Sequence, residues 1–188
     1  DAGLSRGLGD VYKRQIQSRC AVFRFRPLAE DQILEMVQEV AESEGLVLED
    51  HGAAAVVHVA MGDLRRAITA LQVAASLSNN ITRDLVYETT ATAPPEQLHA
   101  FLRSCQEDGF QPARGKMYAI IDRFGLAGTD IVNQLHRSLA DVQFMTEKEK
   151  LAVTEAMAEA DFRLVEGGGE SLQLDALTAR ISTILKIG

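Results

Sequence analysis

From Ala29 onward the chain repeats apolar side chains at helical intervals. Ile33, Met36, Val37 and Val40 fall at i, i+3, i+4 and i+7, which predicts a helix with one inward face, closed at Gly45. Ala54, Val57 and Ala60 predict a second helix, capped by Asp50. Gly62-Asp63 breaks the chain and caps a third, whose inward residues read as Leu64, Ile68, Leu71 and Ala75. Asn79-Asn80 ends it, and a short helix over 83–88 follows. Thr89 to Pro95 holds Thr, Ala and two prolines, offers little to a core and cannot sustain a helix, so it predicts a linker.

Beyond the linker the period resumes. Leu98, Phe101, Leu102 and Cys105 form one stripe, Met117, Ile120, Ile121 and Phe124 a second, and Ile131, Leu135, Leu139 and Val142 a third, with Thr129 or Asp130 as its cap. Thr146, with Glu149 three residues on, has the pattern of a capping box. It starts a helix lined by Val153, Met157, Ala160 and Leu164, which Gly167-Gly168-Gly169 stops. Leu174, Leu177, Ile181, Ile184 and Leu185 line the last one. Upstream, Cys20 to Phe25 alternates in part and predicts a short strand, ended by Arg26-Pro27-Leu28 because a proline cannot donate to a ladder. Residues 1–15, with three glycines and no apolar period, read as an irregular, non-native segment. The expected fold is mainly α. A short strand remnant lies within 16–28, a small helical domain over 29–90, and a five-helix bundle over 91–188.

Composition sharpens this picture. Of 188 residues, 46% are hydrophobic but only 5% aromatic, with no Trp, so the core must rest on aliphatic side chains and Met. A net charge of -8 argues against the whole chain being a nucleic-acid clamp, because phosphate binding needs clustered Lys and Arg. The two cysteines, Cys20 and Cys105, have no metal-ligand spacing and read as reduced packing thiols. No apolar run approaches the roughly 20 residues of a membrane span. Asp1 in place of Met suggests a fragment or a processed chain.

Two arginines are candidates for chemistry. Arg19, in Ser18-Arg19-Cys20, stands just before the strand, where a planar guanidinium could meet a phosphate bidentately. Arg65, in Gly62-Asp63-Leu64-Arg65-Arg66, falls in the first turn of a helix. A cation there costs up to about 1 kcal/mol unless an anion is near, and a bound phosphate would reverse the sign. The alternative is that Arg65 or Arg66 pairs with Asp63 or a nearby Glu. Glu39, Glu42 and Glu44 read as a solvated face. His51 and His58 share a helical face without a ligand set, His99 and His136 are isolated, and the triple glycine is a helix stop rather than a phosphate loop.

Five stretches in order, IQSRCAVFRFRPL, GDLRRAITALQ, VYETTATAPPEQL, FGLAGTDIV and ADFRLVEGGGESLQLDAL, resemble the C-terminal two thirds of replication factor C small subunits. These are AAA+ ATPases that load sliding clamps onto DNA. The resemblance runs from Ile16 to about Lys186 and implies an AAA+ lid over 29–90 and a collar over 91–188. It implies that Arg19 is an arginine finger acting in trans on a neighbour's ATP. Arg65 would sense the subunit's own ATP in cis, and Asp63 would cap the sensor helix. It also implies other clamp-loader subunits, small and large, as partners through the collar. The sliding clamp and primer-template DNA would be partners through a further domain, and no membrane is implied. The compartment would be the cytoplasm in an archaeon or the nucleus in a eukaryote.

The sequence departs from the family in lacking GxxxxGK[ST] and an apolar strand ending in an acidic pair. The expectation is therefore a truncated chain: ATP and Mg²⁺ belong to the intact subunit, and this fragment alone binds neither and does not hydrolyse ATP. Competing readings are a non-catalytic helical oligomerisation module, a helical DNA-binding domain, or the lid of another AAA+ machine such as a branch-migration helicase.

Overall fold

A computed structural model describes Cys20 and residues 26–187. The irregular segment expected at 1–15, most of the strand expected at Cys20 to Phe25, and Arg19 lie outside the described residues.

The described residues form nine α-helices and two two-residue strands. Helix α1 (Glu30–Ser43) leads to β1 (Val47–Leu48), α2 (Asp50–Ala60), α3 (Leu64–Leu77), β2 (Asn80–Ile81) and α4 (Arg83–Thr89). Strands β1 and β2 pair in parallel, Val47 with Asn80 and Leu48 with Ile81. Helices α1 to α4 pack around Ile33, Val37, Val56, Leu71, Ile81 and Val86, all buried. The remaining five helices are α5 (Pro95–Glu107), α6 (Phe110–Phe124), α7 (Gly128–Ser138), α8 (Glu147–Val165) and α9 (Glu170–Ile187). A single 3-10 turn at Leu139–Asp141 follows α7. Phe101, Leu102, Met117, Ile131, Leu135, Met157, Leu174 and Ile181 fill the centre of this bundle.

Several readings of the sequence need correction. In α1 the inward residues are Ile33, Val37 and Ala41, while Met36 is exposed and Val40 half-buried. In α2 the N-cap is Glu49, and Asp50 is the first helical residue. Ala54 points to solvent, whereas Ala53, Ala55, Val56, Val59 and Ala60 are buried. So alanine-rich a helix carries too little apolar contrast for its face to be read from spacing. In α3 the buried stripe is Ala67, Ala70, Leu71 and Ala74, with Leu64, Ile68 and Ala75 at its half-buried edge. Cys105 is a buried packing thiol, but Cys20 is exposed.

The largest correction concerns Thr89 to Pro95. Ala93 and Pro94 are buried, and Gln134 of α7 grips the backbone leading into them. Its Oε1 accepts from the Ala93 amide at 2.8 Å, and its Nε2 donates to the Ala91 carbonyl at 3.1 Å. Arg123 at the end of α6 reaches Asp84 at 3.0 Å and Glu88 at 3.3 Å on α4. Arg83 of α4 pairs with Glu96 of α5. The segment read as a linker with little to offer a core is thus packed against the bundle.

Candidate functional site

The turn that starts α3 is built from special backbone. Met61 has φ 50° and Gly62 φ 81°, both left-handed, and Asp63 returns to an extended conformation. The Leu28 amide donates to the Gly62 carbonyl at 2.9 Å. Pro27 lies so close that a Cβ on Gly62 would stand 2.5 Å from the Pro27 Cβ. The segment that follows the expected strand is therefore fastened onto the turn that presents Arg65. Proximity and a left-handed φ both require glycine at position 62.

Asp63 is the N-cap of α3. Its Oδ1 accepts from the Arg65 amide at 2.9 Å and from the Arg66 amide at 3.3 Å. This bears on the dipole argument. A carboxylate already occupies the positive helix end and offsets two basic residues there, so the cost that would have called for a bound phosphate is largely met locally. The two amides are also engaged and do not cradle an anion. Any phosphate reading now rests on the Arg65 side chain itself. Arg65 and Arg66 are both exposed, and among the described residues neither makes an ion pair with Asp63 or any Glu.

The two arginines are separated. Arg66 lines a cavity of about 410 Å³ between the first helices and the bundle, and Arg65 does not. Glu30, His58, Gln134, Arg137 and Asp141 also line it, so charges of both signs face the space. His58 Nδ1 lies 3.4 Å from the Tyr87 hydroxyl, and their rings meet edge-on at 5.7 Å. Partial burial first, then the Arg137 cation, hold the His58 imidazole below its ordinary pKa, against the pull of Glu30 and Glu96. Burial raises the Tyr87 phenol. Sequence reading missed this cavity, because its walls come from positions far apart in the chain. Of its charged and polar lining, His58 had drawn notice only as half of a histidine pair, and Arg66 only as a possible partner of Asp63 or a nearby Glu.

The other singled-out residues are dispersed. His51 is exposed, His99 Nε2 lies 3.2 Å from the Ser138 carbonyl, and His136 lines a small cleft between α7 and α8. Among the described residues no three His, Cys, Asp or Glu side chains converge as a metal site would require. No described helix is long and apolar enough to cross a membrane.

Comparisons with known proteins agree on one family. Residues 93–180 match the replication factor C C-terminal domain. The chain is 42% identical to the replication factor C small subunit of Methanocella arvoryzae over 87% of its own length and 51% of the relative. Against the replication factor C small subunit of Natronomonas pharaonis it is 40% identical, covering 89% of this chain and 51% of the relative. Against that of Thermococcus kodakarensis it is 42% identical, covering 91% of this chain and 20% of the relative. The chain thus spans about half the length, or less, of these curated relatives.

Proposed function

We propose, starting from a chain that belongs to the replication factor C small-subunit family, that residues 29–90 act as the lid and residues 91–188 as the collar of a clamp-loader subunit. In this reading the intact subunit takes ATP and Mg²⁺ and joins other small and large subunits through the collar. It helps place a sliding clamp on primer-template DNA, and clamp and DNA are met outside the described residues. The assembly would work in the cytoplasm of an archaeon or the nucleus of a eukaryote.

The observation that carries this reading is the similarity over about nine tenths of the chain, together with the presentation of Arg65 at the capped start of α3. Arg65 is exposed, its backbone is anchored by Asp63, and the Pro27–Leu28 segment is pinned beside it. A guanidinium held this way can meet a phosphate oxygen of the subunit's own nucleotide and report its presence to the lid. ATP would supply the phosphoanhydride bond whose cleavage resets the complex. Among the described residues Arg65 would be the one to meet its phosphates, and no acidic cluster for the Mg²⁺ lies among them. Arg19 takes the complementary role, reaching the ATP of the adjoining subunit and offsetting charge that builds on the γ-phosphate.

The test is single-position replacement in mixed rings of intact subunits. Arg19→Ala should lower hydrolysis at the neighbouring site by roughly 10³–10⁵, the usual worth of an arginine finger, while nucleotide binding by the mutated subunit persists. Arg65→Ala should weaken the response of the subunit that carries it. Identical effects of the two replacements on both sites would refute the division of roles.

A further inference from the structure

Arg65 and Arg66 are neighbours in sequence, yet they face different spaces. Arg66 lines the cavity of about 410 Å³ between the first helices and the bundle, and Arg65 does not. Both stand in the first turn of α3, where the helix dipole gives a cation no advantage. Both are exposed, and neither makes an ion pair among the described residues. Arg65 has a role in the clamp-loader reading, and Arg66 has none.

The linker and the bundle limit what Arg66 can meet across the cavity. Their polar lining side chains are Thr92, Gln134, Arg137, Ser138 and Asp141. Both ends of the Gln134 amide are held by the linker backbone. The Thr92 hydroxyl donates to the Thr90 carbonyl at 3.1 Å, and the Ser138 hydroxyl to the Leu135 carbonyl at 2.9 Å. Arg137 carries the same charge as Arg66. Asp141 is exposed and makes no ion pair among the described residues, even with Arg137 four residues before it. The other carboxylate of the cavity, Glu30, belongs to α1 and so to the same group of helices as Arg66. Asp141 is therefore the one opposite charge that the bundle offers to Arg66 across this space. Attraction across a part-enclosed space is less screened than on an open surface.

Asp63 joins the two arginines mechanically. Its Oδ1 accepts from the amides of both Arg65 and Arg66, and the Gly62 carbonyl just before them is held by the Leu28 amide. A pull on one guanidinium is carried through this short, anchored backbone to the other.

We propose that Arg66 is a positioning residue for Arg65: it crosses the cavity to Asp141 of the 3-10 turn and ties the start of α3 to the bundle when Arg65 meets a phosphate. This pairing rests on the reading of Arg65 as a nucleotide sensor and goes further by naming the two residues through which the bundle feels that sensor. Such coupling is reciprocal. A pair that forms with bound nucleotide must itself raise the affinity for nucleotide.

The test uses the intact subunit, with affinity for a non-hydrolysable ATP analogue measured by calorimetric titration and stability without nucleotide by urea denaturation. Arg66→Glu and Asp141→Arg should each weaken binding about fivefold or more. The double variant, in which the two charges are exchanged, should regain most of the affinity. Urea midpoints should not fall, since a glutamate third in a helix suits its dipole, so lost affinity is not a lost fold. If Arg66→Glu weakens binding and Asp141→Arg does not repair it, Arg66 acts on the nucleotide itself or on another group, and the proposal fails. A urea midpoint that falls in the single variants and recovers in the double one would make the pair a static brace, which also overturns it. If Arg65→Ala weakens binding while neither charge reversal does, the sensor reading stands and the Arg66–Asp141 pair is wrong. Unchanged affinity in Arg65→Ala would overturn the sensor reading and the pair with it.

Discussion

Thr146 and Glu149 close the start of α8 on each other. The Thr146 hydroxyl accepts from the Glu149 amide at 3.3 Å, and the Glu149 carboxylate takes the Thr146 amide and hydroxyl, each at 2.7 Å. The hydroxyl first, then the amide, hold the Glu149 carboxyl below its ordinary pKa. Thr146→Ala should therefore destabilise the protein by about 0.5–2 kcal/mol, read by urea denaturation. A carboxylate depressed by folding contributes stability that is complete above the ordinary glutamate range and is lost as pH falls through its lowered folded value. The difference between wild type and Thr146→Ala should accordingly shrink on acidification, and a constant difference down to the acid transition would refute the assignment. Gly52 is a second single-residue constraint. It is buried in α2, and a Cβ there would collide with the Ile81 carbonyl of β2. Gly52→Ala should cost about 1–3 kcal/mol through overpacking, seen as a lower urea midpoint.

At the scale of elements, the linker and α7 depend on each other. Gln134 is only 7% exposed and satisfies one buried donor and one carbonyl of the segment between α4 and α5. Gln134→Ala leaves the Ala93 amide without its partner, a loss of roughly 1–3 kcal/mol. Hydrogen exchange should show the Ala93 amide opening faster while amides at the centre of α9 keep their protection relative to global stability. Uniform acceleration at both places would mean that Gln134 contributes only to overall stability and does not hold the linker. The bundle helices matched their spacing closely, because each carries several large side chains on the face that turns inward. Helix α7 shows where pattern reading stopped short. Its N-cap is Ala127, and Asp130 acts from the third helical position by accepting from the Ala127 amide at 3.4 Å, while Thr129 plays no such part.

For the whole molecule, charge sets an expectation. At net -8, the chain should bind primed DNA weakly at moderate salt, as measured by fluorescence anisotropy. Tight binding would favour the reading as a helical DNA-binding domain over the clamp-loader collar. The cavity holding Glu30, His58, Arg66, Arg137 and Asp141 also belongs to this scale, since its walls are drawn from α1, α2, the start of α3 and the turn before it, the linker, α5, α7 and the 3-10 turn.

Beside the family resemblance, which five ordered stretches carried, sequence alone determined what nearest neighbours encode: the mainly helical class, the five helices after the linker, the cap at Asp63 and the box at Thr146. These follow from spacings of three and four residues and from side chains bonding backbone within one turn. Tertiary structure decided the burial of Ala93 and Pro94, the parallel pairing of β1 with β2, the inward face of α2, and the parting of Arg65 from Arg66. Each of these depends on partners tens of residues away, such as Gln134 on Ala93 or Ile81 against Gly52. The physical reason is that periodicity marks a face as apolar or polar, but which surface covers it is chosen by packing between elements that local sequence does not connect.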